Sequence, residues 1–466
     1  MLILKIAFRN IFRNARRSVT TMLTIAIGGA AILVFGAYIT YIIFGVQTSA
    51  VQRTGHYQVF RNGYFNFGTA APGQWGIDNY QSVLALIQND PELQKISTVV
   101  TPIQSLSGIA GNFDKDTSKT FFGVGFVPSQ RDRMKEWNEY GTRSSGLIHS
   151  GLKDDELSTG ITGIGLVRIL GLCESLHLAD CPVAPKLPET QSTITAPEPS
   201  VDIAELGKRD KAAPDSTESL PTIDLLAATA GGAPNVVSMQ IAKVELQPLK
   251  ELDDNYVGMN LGLAQNLIYG RGEHKATGIV VQLKRTEDMR AAKARLLTIF
   301  KENKLDLELR DFTDLNPQYK QVVALFGSIF SFISVVISVV VLFTVTNAMG
   351  MSVIERTGEI GTTRAMGVRR WGIRKQFLLE GLLLGTFGAT VGVVIAYGVA
   401  FAINQSSLTW TPHGQAAPIP LRLYMAGAYW LIAAAWTGLI GVSTLAALVP
   451  ASRAAKMEVV DALRYV

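Results

Sequence analysis

The densest chemistry in this chain sits in one short run, Ser352-Val-Ile-Glu-Arg-Thr-Gly-Glu-Ile-Gly-Thr-Thr-Arg-Ala-Met-Gly367. Read as a helix, it puts Glu355 and Glu359 on one face, with Arg356, Ile360 and Thr363 on the neighbouring face and Arg364 close by. Gly358 and Gly361 each disfavour an isolated helix by about 1 kcal/mol. Their presence points to close backbone approach or to a turn within the segment. A short amphiphilic element of this kind suits docking on a soluble partner. An interfacial helix resting on headgroups, with Arg369, Arg370 and Trp371 as anchors, is the alternative reading of the same residues.

Familiar catalytic constellations are missing from the sequence. It has no G-x-x-x-x-G-K-[ST] phosphate loop, no G-x-S-x-G elbow and no H-E-x-x-H pair. The histidines at 56, 149, 177, 274 and 413 are scattered without ligand spacing. No catalytic residue and no metal site is assigned. Gly160-x-x-Gly163-x-Gly165 has the look of a dinucleotide turn, but it lacks the third glycine and a preceding strand, and it reads as a flexible turn. Cys173 and Cys181 form a candidate disulfide if their compartment is oxidising; two unpaired thiols are the alternative.

The elements that must position the run are membrane spans. The chain has 466 residues, of which 48% are hydrophobic and 17% charged. A net charge of +5 raises the question of nucleic acid, but the basic residues cluster beside apolar blocks and no aromatic-interleaved basic stripe occurs. A membrane surface is the better partner for them. Four segments can cross about 30 Å of hydrocarbon: Val19–Val46, Val322–Met349, Phe377–Ile403 and Tyr424–Val449. The first two would be about 42 Å long at 1.5 Å per residue, so they are expected to continue as stalks. The first follows Lys5, Arg9, Arg13, Arg16 and Arg17 and is too long for a signal-peptide core, which makes it an uncleaved anchor.

Basic residues set the orientation. They flank the N-terminal segment 1–18. The 350–376 loop carries Arg356, Arg364, Arg369, Arg370, Arg374 and Lys375, and the 450–466 tail carries Arg453, Lys456 and Arg464. The 404–423 loop has only Arg422. Both termini and the 350–376 loop are therefore expected in the cytoplasm, and 47–320 outside it. In the third span, Gly381 with Gly385 and Gly388 with Gly392 have helix-packing spacing, although spans tolerate glycine generally.

The external region reads as one β-α-β unit occurring twice. The first copy is His56–Phe60, a helix over Asp78–Gln88 and a strand over Ile96–Leu106. The second is Thr277–Leu283, a helix over Glu287–Glu302 and a strand over Leu305–Leu309, with Thr286 as N-cap. An inserted region, about 130–272, separates them. It holds glycine-rich Gly160–Gly171, a linker-like Pro182–Pro221 poor in apolar mass, and a β-patterned Val236–Leu246.

The run Glu355-Arg356-x-x-Glu359-Ile360-Gly361-x-x-Arg364-Ala365-x-Gly367 resembles the cytoplasmic coupling segment of the FtsX/MacB/LolC-LolE permease superfamily. Phe377-Leu-Leu-Glu380-Gly381 resembles the start of that family's next span. Pro450-Ala-Ser-Arg453-Ala-Ala-Lys456 through Asp461-Ala-Leu-Arg464 resembles its tail, and Phe8-Arg-Asn-Ile-Phe-Arg-Asn14 fits its N-terminus. The resemblance implies a type VII ABC transporter permease: an α-helical membrane protein with four transmembrane helices and a large α+β extracytoplasmic domain. Residues 47–129 and 273–320 would be its porter-like parts and 130–272 the inserted subdomain. It further implies a second permease protomer and a cytoplasmic ABC ATPase dimer, which would hold the ATP and magnesium, in the bacterial inner membrane. Glu355, Arg356, Glu359, Ile360, Gly361, Arg364 and Gly367 would dock the ATPase. With no ATPase in the sequence, the layout is closest to LolC/LolE, and the implied substrate is a lipoprotein or another amphipathic molecule. A MacB-like tripartite efflux component with a periplasmic adaptor, and an FtsX-like regulator of a periplasmic hydrolase, are the alternatives.

Overall fold

The computed structural model describes residues 2–13, 15–142, 149–178, 220–247, 249–270, 272, 274–410, 419–425 and 427–459. The expected linker 182–221 lies, but for Leu220 and Pro221, outside the described residues, as does Cys181. The chain opens with helix α1 (Leu2–Arg13) and helix α2 (Ala15–Thr54). An apolar core stretch lets α2 cross a bilayer, but its 40 residues make it about 60 Å long. The part beyond the hydrocarbon runs into the sheet region.

That region contains β1 (Tyr57–Arg61), α3 (Tyr80–Gln88), β2 (Ser97–Asn112), β3 (Thr117–Phe126), β4 (Thr159–Gly163), β5 (Thr222–Ala228), β6 (Pro234–Glu245), β7 (Tyr256–Asn260), β8 (Gly278–Leu283), α4 (Met289–Glu302) and β9 (Leu307–Asp311). The two β-α-β copies interleave rather than sit side by side. Their strands run in the order β9-β1-β8-β2, and each neighbouring pair is antiparallel. This is the split β-α-β arrangement. Its helices cover one face around Val59, Ile87, Ile279, Val281, Leu296 and Ile299.

The inserted strands do not form a sheet of their own. Strand β2 is 16 residues long: its first half pairs with β8, and its second half pairs with both β3 and β5. Continuing through β3-β7-β4-β6-β5 returns to β2, so six strands close a ring. A second core fills it, with Phe121, Leu166, Leu225, Met239, Ile241 and Met259 among its residues. The boundary expected near residue 130 therefore does not separate two cores: β2 gives Val100 to the first and Leu106 and Ala110 to the second, and β3 gives Phe121 to the second.

The glycine-rich motif is also different from the expected turn. Gly160 and Gly163 lie in β4, which leads directly into a short helix, Ile164–Ile169. The N–H groups of Ile164 and Gly165 donate to the Asp253 carboxylate at 3.2 and 2.7 Å. A Cβ on Gly163 would meet the Asp253 carbonyl oxygen at 2.0 Å, so the glycine permits a close backbone approach. Thr286 does not cap α4 either. It opens a 3-10 turn, and its N–H and hydroxyl both donate to Glu139 at 2.8 Å.

Stalk and sheet are joined tightly. Gly55, at φ 67°, ends α2 where a Cβ would lie 2.5 Å from Val280. Gln52 on α2 donates to the carbonyls of Lys135 and Trp137, and Gln282 on β8 donates back to Val51 on α2. Buried His56 accepts from the Leu283 N–H at 3.0 Å through Nδ1. Desolvation holds its pKa down to about 3, so the ring is a neutral acceptor.

After β9 the chain returns through α5 (Pro317–Glu355), α6 (Thr357–Ala365), α7 (Arg370–Gln405), α8 (Tyr429–Ala446) and α9 (Leu448–Lys456). Among the described residues, four helical stretches are long and apolar enough to cross a membrane: α2, α5, α7 and the α8–α9 stretch. The glycines of α7 face two different neighbours. A Cβ on Gly381 or Gly385 would strike Ala447 or Ser443 at the α8–α9 side, whereas one on Gly388 or Gly392 would strike Ile25 or Ala26 of α2. Backbone contact on both sides makes α7 the centre of the bundle.

Candidate functional site

The run from Ser352 to Gly367 is not one helix. Helix α5 ends at Glu355, Arg356 takes φ −105° and ψ 18°, and α6 restarts at Thr357. Gly367, at φ 92°, ends the segment before α7. The break sends Glu355 and Glu359 to two separate partners. Glu355 receives a fork from Arg17 at 2.6 and 2.7 Å, and Glu359 receives Arg13 at 2.5 Å. Both pairs are substantially exposed, so solvent screens them.

Arg356 turns the other way. It points inward to Glu380 on α7 at 3.0 and 3.3 Å, and the two side chains are only 6% and 4% exposed. Asn10 on α1 completes the node: its amide donates to Glu380 at 2.7 Å, and its carbonyl accepts from Arg356 at 3.2 Å. Three segments distant in sequence thus meet on one carboxylate. Removing either charge would strand the other in a region of low dielectric.

The remaining expected docking residues divide in the same way. Ile360 and Gly361 are buried, Ile360 in a core with Ile11, Ile373 and Phe377. Arg364 donates to the carbonyls of Ala455 and Met457 at 3.2 and 2.6 Å, holding the C-terminal end of α9. Glu355, Glu359 and Gly367 stay at the surface. Around them are exposed Met366, Val368 and Trp371, and a Cβ on Gly358 would meet open space. What a partner could touch is therefore an apolar edge beside two ion-paired glutamates, while Arg356, Ile360 and Arg364 hold that edge in place.

Sequence reasoning assigned no role to Glu380, Asn10, Arg13 or Arg17 in this site. Glu380 carried a signal: a carboxylate inside an apolar span needs a partner. Cys173 is buried, and its candidate partner Cys181 lies outside the described residues.

Residues 330–459, from mid-α5 through the connector to the end of α9, match the family model FtsX-like permease C-terminal. Over this stretch the chain is FtsX-like, and it resembles the FtsX/MacB permeases. It is similar to ABC transporter permease YtrF of Bacillus subtilis (strain 168), with 35% identity over 136 residues, 28% of this chain and 30% of that protein. It is also similar to macrolide export ATP-binding/permease protein MacB of Shewanella sp. (strain W3-18-1), with 31% identity over 214 residues, 44% of this chain and 30% of the relative. MacB of Chromobacterium violaceum is 35% identical over 119 residues, 26% of this chain and 16% of the relative. The chain thus spans less than a third of the length of these curated relatives. The FtsX-like match contains the whole break at Arg356 and its partner Glu380.

Proposed function

We propose that this chain is the permease subunit of a type VII ABC transporter, transmitting the motion of a separate cytoplasmic ATPase to the sheet domain outside. The observation that carries the proposal is the continuity of α5, which runs as one helix from Pro317 beside the sheet to Glu355 at the connector. A push on the connector can reach the sheet without crossing a flexible joint. On this reading the connector and both termini face the cytoplasm, and the sheet domain lies in the periplasm. Two protomers and two ATPases form the working unit, with ATP and magnesium held by the ATPase.

The substrate proposed is a lipoprotein or another amphipathic molecule drawn from the membrane, in a LolC/LolE-like layout. The relatives named for macrolide export favour a second reading, a MacB-like efflux component, and a periplasmic adaptor is part of that proposal. Co-expression of the chain with ABC ATPases from the same genome tests the core proposal: one should co-purify with it, and hydrolysis should change on assembly. Failure of every such ATPase to bind would overturn it. Mislocalised lipoproteins on depletion would favour the first substrate class, and loss of export of an amphipathic drug the second.

A further inference from the structure

Four arginines, Arg9, Arg13, Arg16 and Arg17, lie within nine residues at the connector end of the bundle. Arg13 and Arg17 hold Glu359 and Glu355. Arg9 and Arg16 are exposed and have no ion-pair partner among the described residues. Helix α1 has three sides. At about 100° per residue, Ala7 and Ile11 share the side buried against the bundle. Phe8 lies on the next side, 44% exposed, with its ring 6.3 Å from Phe387 of the apolar helix α7. Arg9 and Arg13 project from the remaining side.

Phe8 is thereby set against a span while Arg9, on the same helix, stays exposed, the division of sides found in helices at a membrane interface. We propose that Arg9 and Arg16 form a binding surface for anionic lipid headgroups of the leaflet at this end. Charge complementarity supports it, since no carboxylate of the described chain neutralises either residue. So does position: Arg9 lies about 100° around α1 from Phe8, on a side that is exposed while Ala7 and Ile11 are buried. The same headgroups would border Arg13 and Arg17, so lipid and connector share one basic cluster.

The test uses the full chain in nanodiscs of phosphatidylcholine and phosphatidylglycerol in equal parts, with retained lipids counted by native mass spectrometry. The wild-type chain should retain phosphatidylglycerol in preference to phosphatidylcholine. The Arg9→Gln/Arg16→Gln variant should lower that preference by about tenfold, from the attraction expected per basic residue near a charged surface after screening by salt. A variant with the same change in charge on the sheet domain, Arg133→Gln/Arg290→Gln, should leave it unchanged. Absence of a preference in the wild-type chain would overturn the proposal and leave the arginines to an acidic protein surface. An unaltered preference in the first variant, or an equal loss in the second, would overturn it as well. No ATPase enters this measurement, so its failure is distinct from failure of the permease reading.

Discussion

Arg356 and Glu380, 24 residues apart in the chain, meet at 3.0 Å in a pocket nearly closed to solvent. The pair pins the break between α5 and α6 to the first turns of α7, and Asn10 binds α1 to the same carboxylate. Motion of the connector relative to α7 must therefore either carry this node along or break it.

Breaking it on one side should be costly. Glu380→Ala leaves a buried guanidinium unpaired and is expected to destabilise the chain by about 3–5 kcal/mol. The double change Arg356→Met/Glu380→Leu removes both charges and should recover most of that loss. Thermal unfolding in detergent measures both. A double variant as unstable as the single one would show that the node is more than an ion pair.

Two glycines should behave oppositely. Gly385→Val drives a side chain into Ser443, whose Oγ would lie 1.9 Å from the new Cβ, and should separate α7 from α8. Gly358→Ala enters open space in a helix and should raise stability by about 1 kcal/mol. Cysteine cross-linking between α7 and α8 reads the first, and melting temperature the second. If Gly358→Ala leaves folding intact but weakens ATPase binding, the open space is where the partner sits.

Glu359→Lys places a cation beside Arg13. The lost pair is exposed, so stability should change by less than about 1 kcal/mol. Association with the ATPase should nevertheless fall, read by co-purification and by permease-dependent hydrolysis. Unchanged association would remove Glu359 from the docking surface.

The joint between stalk and sheet should weaken in acid. Burial lowers the His56 pKa from 6.5 to about 3, so below about pH 6.5 the unfolded chain takes up a proton that the folded chain refuses. Stability should fall with falling pH by up to about 1.4 kcal/mol per unit in that window. Burial would raise the Glu245 pKa, but hydrogen bonds and charge from Arg131 and Lys135 outweigh it and hold the group at about 2 against an ordinary 4.5. Its contribution is lost only as pH falls below about 4.5. Melting temperatures across the upper window should therefore flatten in His56→Gln, which keeps an acceptor for Leu283.

Local patterning made the apolar helices and most strands legible: Gly278–Leu283 and Met289–Glu302 lie within a residue or two of where alternation and helical period put them. Closure of the ring was not legible, because it depends on β2 changing partners midway, and no local pattern records which neighbour a strand edge meets. In the site, the residue types were readable but their directions were not. Arg356 and Glu359 look equally exposed in a helical projection, and only the break at Arg356 sends one inward and the other out. Thr286 shows the same limit: a good capping residue was drawn away by Glu139, which is remote in sequence.

The seam at Gly55 and His56 has a mechanical consequence. With Gln52, Gln282 and His56 fastening rod to sheet, α2 behaves as a crank and its attached domain as the throw, instead of a bead on a string. Over about 60 Å of helix, a rotation of roughly 5° at one end displaces the other by about 5 Å. Small angular changes at the arginine-rich foot would thus become molecular-scale strokes at the head.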